Sequence, residues 1–214
     1  MPIPEMALKN NNTIDASEKY RALGAILIVC VAAAMAIAEM ANNTLEEQMM
    51  IAHNKQVSYS DWYQSKSIKQ VLKENELVYL QALLETDMIA PGKRASLTSK
   101  IETTKSLVLK YEAEKTELLV GSSNIPKEFW AQDLDGKMGE IIGLREWEQL
   151  TDEYEMSTKK FDMGMLFFQI GIVMGAICII LRNNIRLQQY FMLLTLVFGV
   201  VGILFSAHGY TLAP

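Results

Sequence analysis

The sequence predicts an all-α membrane protein with three transmembrane helices and a long extramembrane helical hairpin that resembles a coiled coil. Three uncharged apolar stretches predict the spans. Between the first and second of these stretches, from Ala41 to Phe161, lie 15 of the 20 Lys and Arg residues and 20 of the 25 Asp and Glu residues. Because charged side chains are costly in hydrocarbon, this stretch predicts an extramembrane domain.

The first predicted span covers residues 22–41 and follows a polar leader, residues 1–21. A cleaved signal peptide is the alternative, because Ala36-Ile37-Ala38 resembles a cleavage site. The long leader, which mixes acids with bases, favours an uncleaved anchor instead. The second and third spans, residues 163–181 and 189–207, are joined by the basic link 182–188, which is long enough only for an antiparallel helical hairpin. Residues 208–214 form the C-terminal tail.

Basic residues in short loops indicate which side of the membrane is cytoplasmic. Arg182 and Arg186 lie in the link between the last two spans, and Lys19 and Arg21 directly precede the first span. We therefore expect a cytoplasmic N-terminus, with the extramembrane domain (residues 42–162) and the C-terminus on the periplasmic side.

The extramembrane domain is predicted to be helical almost throughout. Thr44 is either a helix cap or, if the first span continues unbroken, a surface residue. Pro91-Gly92 is predicted to break the chain, and a second helix follows from about Ala95 to Val120. The two helices form an antiparallel hairpin. The second helix has a heptad-like seam with polar gaps, formed by Leu97, Ile101, Thr104, Val108, Tyr111, Lys115 and Leu118.

A less regular stretch follows the hairpin, and in it Phe129 and Trp130 are predicted to pack inward. The helical pattern resumes at Glu140 and has no breaker before Phe161. This third extramembrane helix is therefore predicted to be continuous with the second span, over about 40 residues or roughly 60 Å.

Three features together resemble a known bacterial membrane-protein family. They are the stretch Tyr63-Gln64-Ser65-Lys66-Ser67-Ile68-Lys69, the motifs Lys160-Phe161-Asp162 and Phe168-Gln169-Ile170, and the order of leader, span, helical domain and two linked spans. The family is that of domain of unknown function 4337. The sequence departs from its pattern where Ser60 replaces an expected Trp and Trp62 stands two residues later. The resemblance implies this architecture and a bacterial inner membrane, and it implies no known activity.

Catalytic, cofactor and metal chemistry are not indicated. The two histidines, His53 and His208, are far apart in the sequence, and neither has a His, Cys, Asp or Glu residue three or four positions away. Glycine-rich phosphate loops are absent from the sequence. A net charge of −5 without a basic cluster excludes a nucleic-acid binder. We therefore expect no enzyme activity, no cofactor and no small-molecule substrate.

Small residues four apart predict close helix packing in lipid, within one chain or between chains. Such pairs occur in each span: Ala32 and Ala36, Ala34 and Ala38, Gly171 and Gly175, Gly202 and Ser206. Three polar positions lie at or inside the spans: Glu39, Asp162 and Gln169. The two carboxylates are predicted to mark the ends of spans, with Lys159 or Lys160 as neighbours, and Gln169 to bond another helix or, alternatively, to line a pore.

The aromatic group Tyr59, Trp62 and Tyr63 is predicted either to pack the seam between helices or to contact a partner. The gaps at Thr104 and Lys115 suggest a seam completed by a neighbouring protein, and the seam is predicted to be too narrow for a ligand-sized cavity of about 300 Å³. These features favour a structural or accessory membrane protein that assembles with itself or with other subunits of a membrane complex. A channel, transporter or mechanosensor is the alternative.

Overall fold

The computed structural model describes residues 4–86, 89–134, 136–181 and 184–214. Four helices make up most of it: α1 (Pro4–Glu85), α2 (Pro91–Val120), α3 (Leu144–Ile180) and α4 (Ile185–Leu212). Between α2 and α3 lie two single-turn 3₁₀ helices, Ser122–Asn124 and Lys127–Phe129, and a two-stranded antiparallel ladder of β1 (Asp133–Leu134) and β2 (Lys137–Met138). The all-helical fold class is confirmed.

Three of these helices, α1, α3 and α4, are long and apolar enough to cross a membrane. The second predicted span and the preceding extramembrane helix are indeed one continuous helix, α3. That helix begins at Leu144 rather than at Glu140, because Gly143 and the residues before it adopt non-helical backbone. Arg182, predicted to close the second span, lies outside the described residues.

The first helix is one element from the leader through the hairpin. No break occurs at Thr44, whose hydroxyl donates to the Met40 carbonyl one turn back at 3.2 Å, as mid-helix threonines commonly do. The cap interpretation of Thr44 is therefore wrong, and the continuous-helix alternative holds. Pro91 does not interrupt a helix but begins α2, because a proline at the first helical position forfeits no intrahelical hydrogen bond.

The contacts divide the chain into two compact units. The apolar unit comprises Met1–Met49 and Asp152–Pro214, and the charged unit comprises Met50–Thr151. The core of the apolar unit contains Val31 and Ala38 of α1 and Phe161 and Phe168 of α3. Ile101 and Leu118 of α2 and Leu80 of α1 are buried hydrophobic residues of the charged unit.

Burial along α1 repeats every seven residues. The buried or half-buried positions of this register are Ser17, Gly24, Val31, Ala38 and Leu45 in the apolar unit and Ala52, Tyr59, Lys66, Lys73 and Leu80 in the charged unit. A straight α-helix has 3.6 residues per turn, so within either unit a strict seven-residue period of burial is typical of a helix that packs as in a coiled coil. This period is not visible as a hydrophobic pattern in the sequence, because glycine, alanine and lysine occupy many of its positions.

Candidate functional site

In the apolar unit, α3 and α4 pack along a seam of small residues. The buried residues of this seam on α3 are Ser157, Phe161, Gly164, Phe168, Gly171, Gly175 and Cys178, and on α4 they are Gln188, Thr195, Gly199, Gly202, Ser206 and Gly209. The predicted packing residues Gly171, Gly175, Gly202 and Ser206 therefore lie between helices of one chain. A side-chain carbon at Gly202 would come within 2.7 Å of the Phe168 ring and 3.0 Å of the Gly164 carbonyl oxygen.

Of the two small-residue pairs predicted on the first span, Ala34 and Ala38 lie on the packed face and Ala32 and Ala36 do not. Ala32 and Ala36 are exposed, whereas Val31 and Ala38 are buried and Ala34 packs against them. Ala34 and Ala38 have the same four-residue spacing as Ala32 and Ala36, so spacing alone does not identify the packed face. The pair Ala32 and Ala36 is thus not used for packing within the described chain.

Gln169 lies on the outer face of α3. Its neighbour Phe168 is 1% exposed, but Gln169 itself is exposed, and its side chain has no hydrogen-bond partner in the part of the chain that the structure describes. Leu166 and Val173, one turn away on either side, are also exposed. Gln169 therefore bonds no other helix within the part of the chain that the structure describes, and a bond to a helix of another chain stays a prediction. Thr195, by contrast, is fully buried and donates to the Phe191 carbonyl at 2.9 Å.

Asp162 has a partner that the sequence did not suggest. The buried Asn42 donates to an Asp162 carboxylate oxygen at 3.4 Å and to Glu46 at 2.9 Å. Lys159, one of the two predicted neighbours, instead pairs with Glu155 at 2.6 Å. Glu39 is exposed.

At the other end of the apolar unit, polar side chains tie α1 to the start of α4. The buried Gln188 amide donates to the Ser17 hydroxyl at 3.1 Å and also to the Leu181 carbonyl. Gln189 donates to the Tyr20 hydroxyl at 2.7 Å, and the Arg21 guanidinium donates to the Ile179 carbonyl at 3.1 Å. These hydrogen bonds hold the leader end of α1 against the end of α3 and the start of α4.

In the charged unit, the aromatic group lies in the seam between helices. Tyr59 makes an edge contact with Trp62 at 5.8 Å and a tilted contact with Trp147 of α3 at 6.3 Å. Burial raises the pKa of Tyr59, so its phenol stays neutral there. The Lys115 ammonium stands 5.2 Å from the centre of the Tyr63 ring. All three predicted aromatics are half-buried, which favours the seam interpretation over a free partner surface.

Ion pairs and amides close the gaps that the sequence left in this seam. Lys66 of α1 bonds the nearly buried Glu114 of α2 at 2.5 Å. Lys115, one of the predicted gaps, donates to Gln70 at 3.1 Å. Thr104, the other gap, is buried and donates to the Lys100 carbonyl at 2.9 Å. Neither gap therefore needs a neighbouring protein to complete it.

A network of ion pairs also joins α1 and α2 near the turn between them. Glu76 accepts from Lys73 at 2.7 Å and from Lys100 of α2 at 3.3 Å. The hydrogen bond from Lys73, and that from Lys100, lower the pKa of Glu76, and the bond to Glu76 raises the pKa of Lys73. These groups are solvated, so they set the register of the two helices more than their stability.

Glu117 is the buried charge that organises the segment between α2 and α3. Its side chain is 0% exposed. One carboxylate oxygen accepts from the backbone N–H groups of Ala131 and Gln132 at 2.8 and 2.7 Å, and the other accepts from the Ser122 hydroxyl at 2.7 Å. The Ser122 oxygen in turn accepts from the Ile141 N–H at 3.0 Å. Sequence inspection missed this residue, because a glutamate on a charged helix is ordinarily solvated.

The charged unit also contains a groove outside the helix–helix seam, at a place for which the sequence predicted nothing. Its volume is about 400 Å³, and α2 and the 3₁₀ segment form its walls, with Leu109, Ala113, Ile125, Pro126 and Phe129 among the lining residues. Phe129 is 55% exposed there, so the prediction that it packs inward is wrong. Trp130 does pack inward, and its indole N–H donates to the Ser122 carbonyl at 3.0 Å. The groove exists because the 3₁₀ turn after Pro126 holds Phe129 beside α2.

Among the residues described, no cluster of three His, Cys, Asp or Glu side chains has a geometry suited to a metal ion. His53 and His208 are both exposed.

The family model named Domain of unknown function (DUF4337) matches residues 21–212. No curated protein matches the chain, and no solved structure does.

Proposed function

The chain belongs to the family Domain of unknown function (DUF4337), and from that premise we propose that it is a non-catalytic integral membrane protein that assembles with copies of itself. The observation that carries the proposal is the unpaired Gln169 on the outer face of α3. In hydrocarbon an amide without a partner costs free energy, and a second helix can supply the missing hydrogen bonds. A symmetric contact would place two Gln169 amides within bonding distance of each other.

Two further surfaces support assembly. The exposed pair Ala32 and Ala36 leaves α1 with a face of small side chains that a neighbouring helix can approach closely. In the charged unit, the groove beside Phe129 is a surface to which a different subunit of a membrane complex would bind. Self-assembly is the form that we favour, because Gln169 is a polar group whose need for a partner follows from the membrane itself.

We also propose that the extramembrane hairpin packs as a coiled coil and that the spans lie in a bacterial inner membrane. The seven-residue period of burial on α1 supports the coiled coil. The resemblance of the sequence to a bacterial membrane-protein family supports the location.

The alternative function is an oligomeric channel, transporter or mechanosensor. A ring of Gln169 amides could line a pore in such an oligomer. Thr195, the second residue considered for that lining, is buried within the chain and already hydrogen-bonded, which leaves Gln169 as the one of the two that could face a pore.

Disulfide crosslinking tests the proposed contact. In a chain that keeps Gln169 and has Cys30 and Cys178 replaced by alanine, Val173→Cys is expected to form a disulfide-linked dimer in membranes, because Val173 lies one turn from Gln169 on the same exposed face of α3. Leu204→Cys is the matched control, since Leu204 is 63% exposed on α4. Dimers from Leu204→Cys but not from Val173→Cys would contradict the contact.

The orientation gives a second test. We propose that the N-terminus is cytoplasmic and the charged unit periplasmic, on the strength of the basic residues beside the link. In a chain without Cys30 and Cys178, an impermeant maleimide on intact cells is expected to label Ser106→Cys, at an exposed position of the charged unit, and not Asn184→Cys. The opposite labelling would mean that the topology is inverted.

A further inference from the structure

The outer surface of the apolar unit carries a continuous groove between α1 and α4. One part of it, about 330 Å³, has Leu27, Cys30 and Leu196 in its lining, and a second part of about 190 Å³ shares these three residues and extends to Ile203. Nearly all the lining is aliphatic. The small residues of the second part, among them Gly199, let the groove sink between the helices.

At one end the groove opens into a polar cavity. This cavity has a volume of about 210 Å³, and Arg186, Gln189, Tyr190 and Leu193 line it. Leu193 also lines the first apolar part, so the polar and apolar sections adjoin. Gln189 is held in place by its hydrogen bond to the Tyr20 hydroxyl at 2.7 Å.

Arg186 places a positive charge at this end of the groove. Arg186 is exposed and makes no ion pair with any residue that the structure describes. The first turn of α4, in which it lies, contains no acidic residue. A guanidinium with two further polar side chains beside it is suited to an anionic group such as phosphate, which arginine binds through two parallel hydrogen bonds.

The dimensions match one leaflet of a bilayer. From Leu193 to Ile203 the groove follows α4 for ten residues, or about 15 Å at 1.5 Å per residue. One leaflet contributes about half of a hydrocarbon core that is roughly 30 Å thick. A cavity with a cation at one end and an aliphatic groove of leaflet depth behind it is complementary to a lipid with a charged headgroup.

We propose that this groove binds one anionic phospholipid, with the headgroup phosphate on Arg186 and one acyl chain between α1 and α4. The inference rests on the proposed insertion of the spans in a membrane and goes beyond the proposed self-assembly. Basic pockets between transmembrane helices are a recurrent way of holding anionic headgroups. A second copy of the chain is a poorer occupant, since the polar end presents a cation and none of the side chains that line the three cavities is a carboxylate that could pair with it.

The test is retention of phosphatidylglycerol by the full chain, measured by native mass spectrometry after release from nanodiscs of phosphatidylcholine mixed with phosphatidylglycerol. Wild-type protein is expected to retain phosphatidylglycerol in preference to phosphatidylcholine. Arg186→Gln is expected to weaken that preference by about fivefold, because one basic residue lost near an anionic headgroup has roughly this effect. Arg145→Gln, an exposed arginine in the charged unit, is the matched control and is expected to change nothing.

A second variant tests the acyl section. Cys30→Phe fills the groove at an exposed position and is expected to reduce retention of the lipid without lowering thermal stability. Equal retention of both lipids by the wild type, or unchanged retention in both variants, would overturn the lipid site. A larger or smaller assembly in Cys30→Phe would overturn it in favour of a second copy of the chain. A chain that does not enter nanodiscs at all would overturn the membrane proposal itself, which is a distinguishable result.

Discussion

Replacing Glu117 with alanine is expected to destabilise the protein by at least about 3 kcal/mol. The change removes the acceptor for the N–H groups of Ala131 and Gln132 and for the Ser122 hydroxyl, all held within 2.8 Å. Each buried donor left without a partner costs about 1–3 kcal/mol. Glu117→Gln is expected to cost less, because an amide oxygen can still accept from both N–H groups.

Two measurements check the role of Glu117. Thermal unfolding of the full chain in detergent gives the loss of stability, and amide hydrogen exchange is expected to speed up at Ala131, Gln132 and Ile141 before the rest of the charged unit. Glu102→Ala is the control, since Glu102 is an exposed partner of Lys105 and contributes little. Equal unfolding temperatures for Glu117→Ala and Glu102→Ala would show that the buried carboxylate does not hold this segment.

The second large effect is expected at Gly143, which lies in backbone-to-backbone contact with the end of α2. A side-chain carbon there would clash with the Val120 carbonyl carbon and the Gly121 nitrogen and would lie 2.9 Å from the Leu119 carbonyl oxygen. Backbone atoms cannot rotate away as a side chain can. Gly143→Ala is therefore expected to cost about 3 kcal/mol, at the upper end for overpacking in a well-packed interior.

Gly92→Ala is the matched control for this glycine. An added carbon at Gly92 meets no atom within 4 Å, and alanine is the better helix former by up to about 1 kcal/mol. The thermal unfolding temperature is therefore expected to fall in Gly143→Ala and to rise slightly in Gly92→Ala. A Gly143→Ala protein as stable as Gly92→Ala would mean that α2 and α3 do not approach each other this closely.

The sequence was informative where hydrophobic pattern decides structure. The two later spans are uncharged over about 19 residues each, and α3 and α4 contain them. The seven residues of the predicted seam of α2, from Leu97 to Leu118, are each buried or half-buried. A stripe with a period of 3.5 residues lies on one side of a helix, so its members are buried together.

The sequence was less informative where a face or a partner had to be chosen. Ala32 and Ala36 are indistinguishable by spacing from Ala34 and Ala38, yet only the latter pair faces the core. Thr44 has the chemistry of a helix cap, but the span and the hairpin helix are one element and leave no helix end to cap.

The candidate sites were harder still to predict, because they depend on contacts distant in sequence. The partners of Glu117 lie 14 and 15 residues further along an irregular segment. The groove beside Phe129 depends on a 3₁₀ turn, and the hydrophobic periodicity of the sequence does not predict that turn. Gln169 was recognised as the one strongly polar residue inside its span, but only the packing of α3 against α4 shows that its amide faces outward.

The mass of the protein in a lipid bilayer is the measurement that bears most directly on self-assembly through Gln169. In nanodiscs, mass spectrometry is expected to find two or more copies of the wild-type chain together. The number should fall to one in Gln169→Leu and stay unchanged in Gln64→Leu, which alters an exposed glutamine of the charged unit. A single copy of the wild-type chain per nanodisc, or an assembly that Gln169→Leu leaves intact, would contradict the proposal.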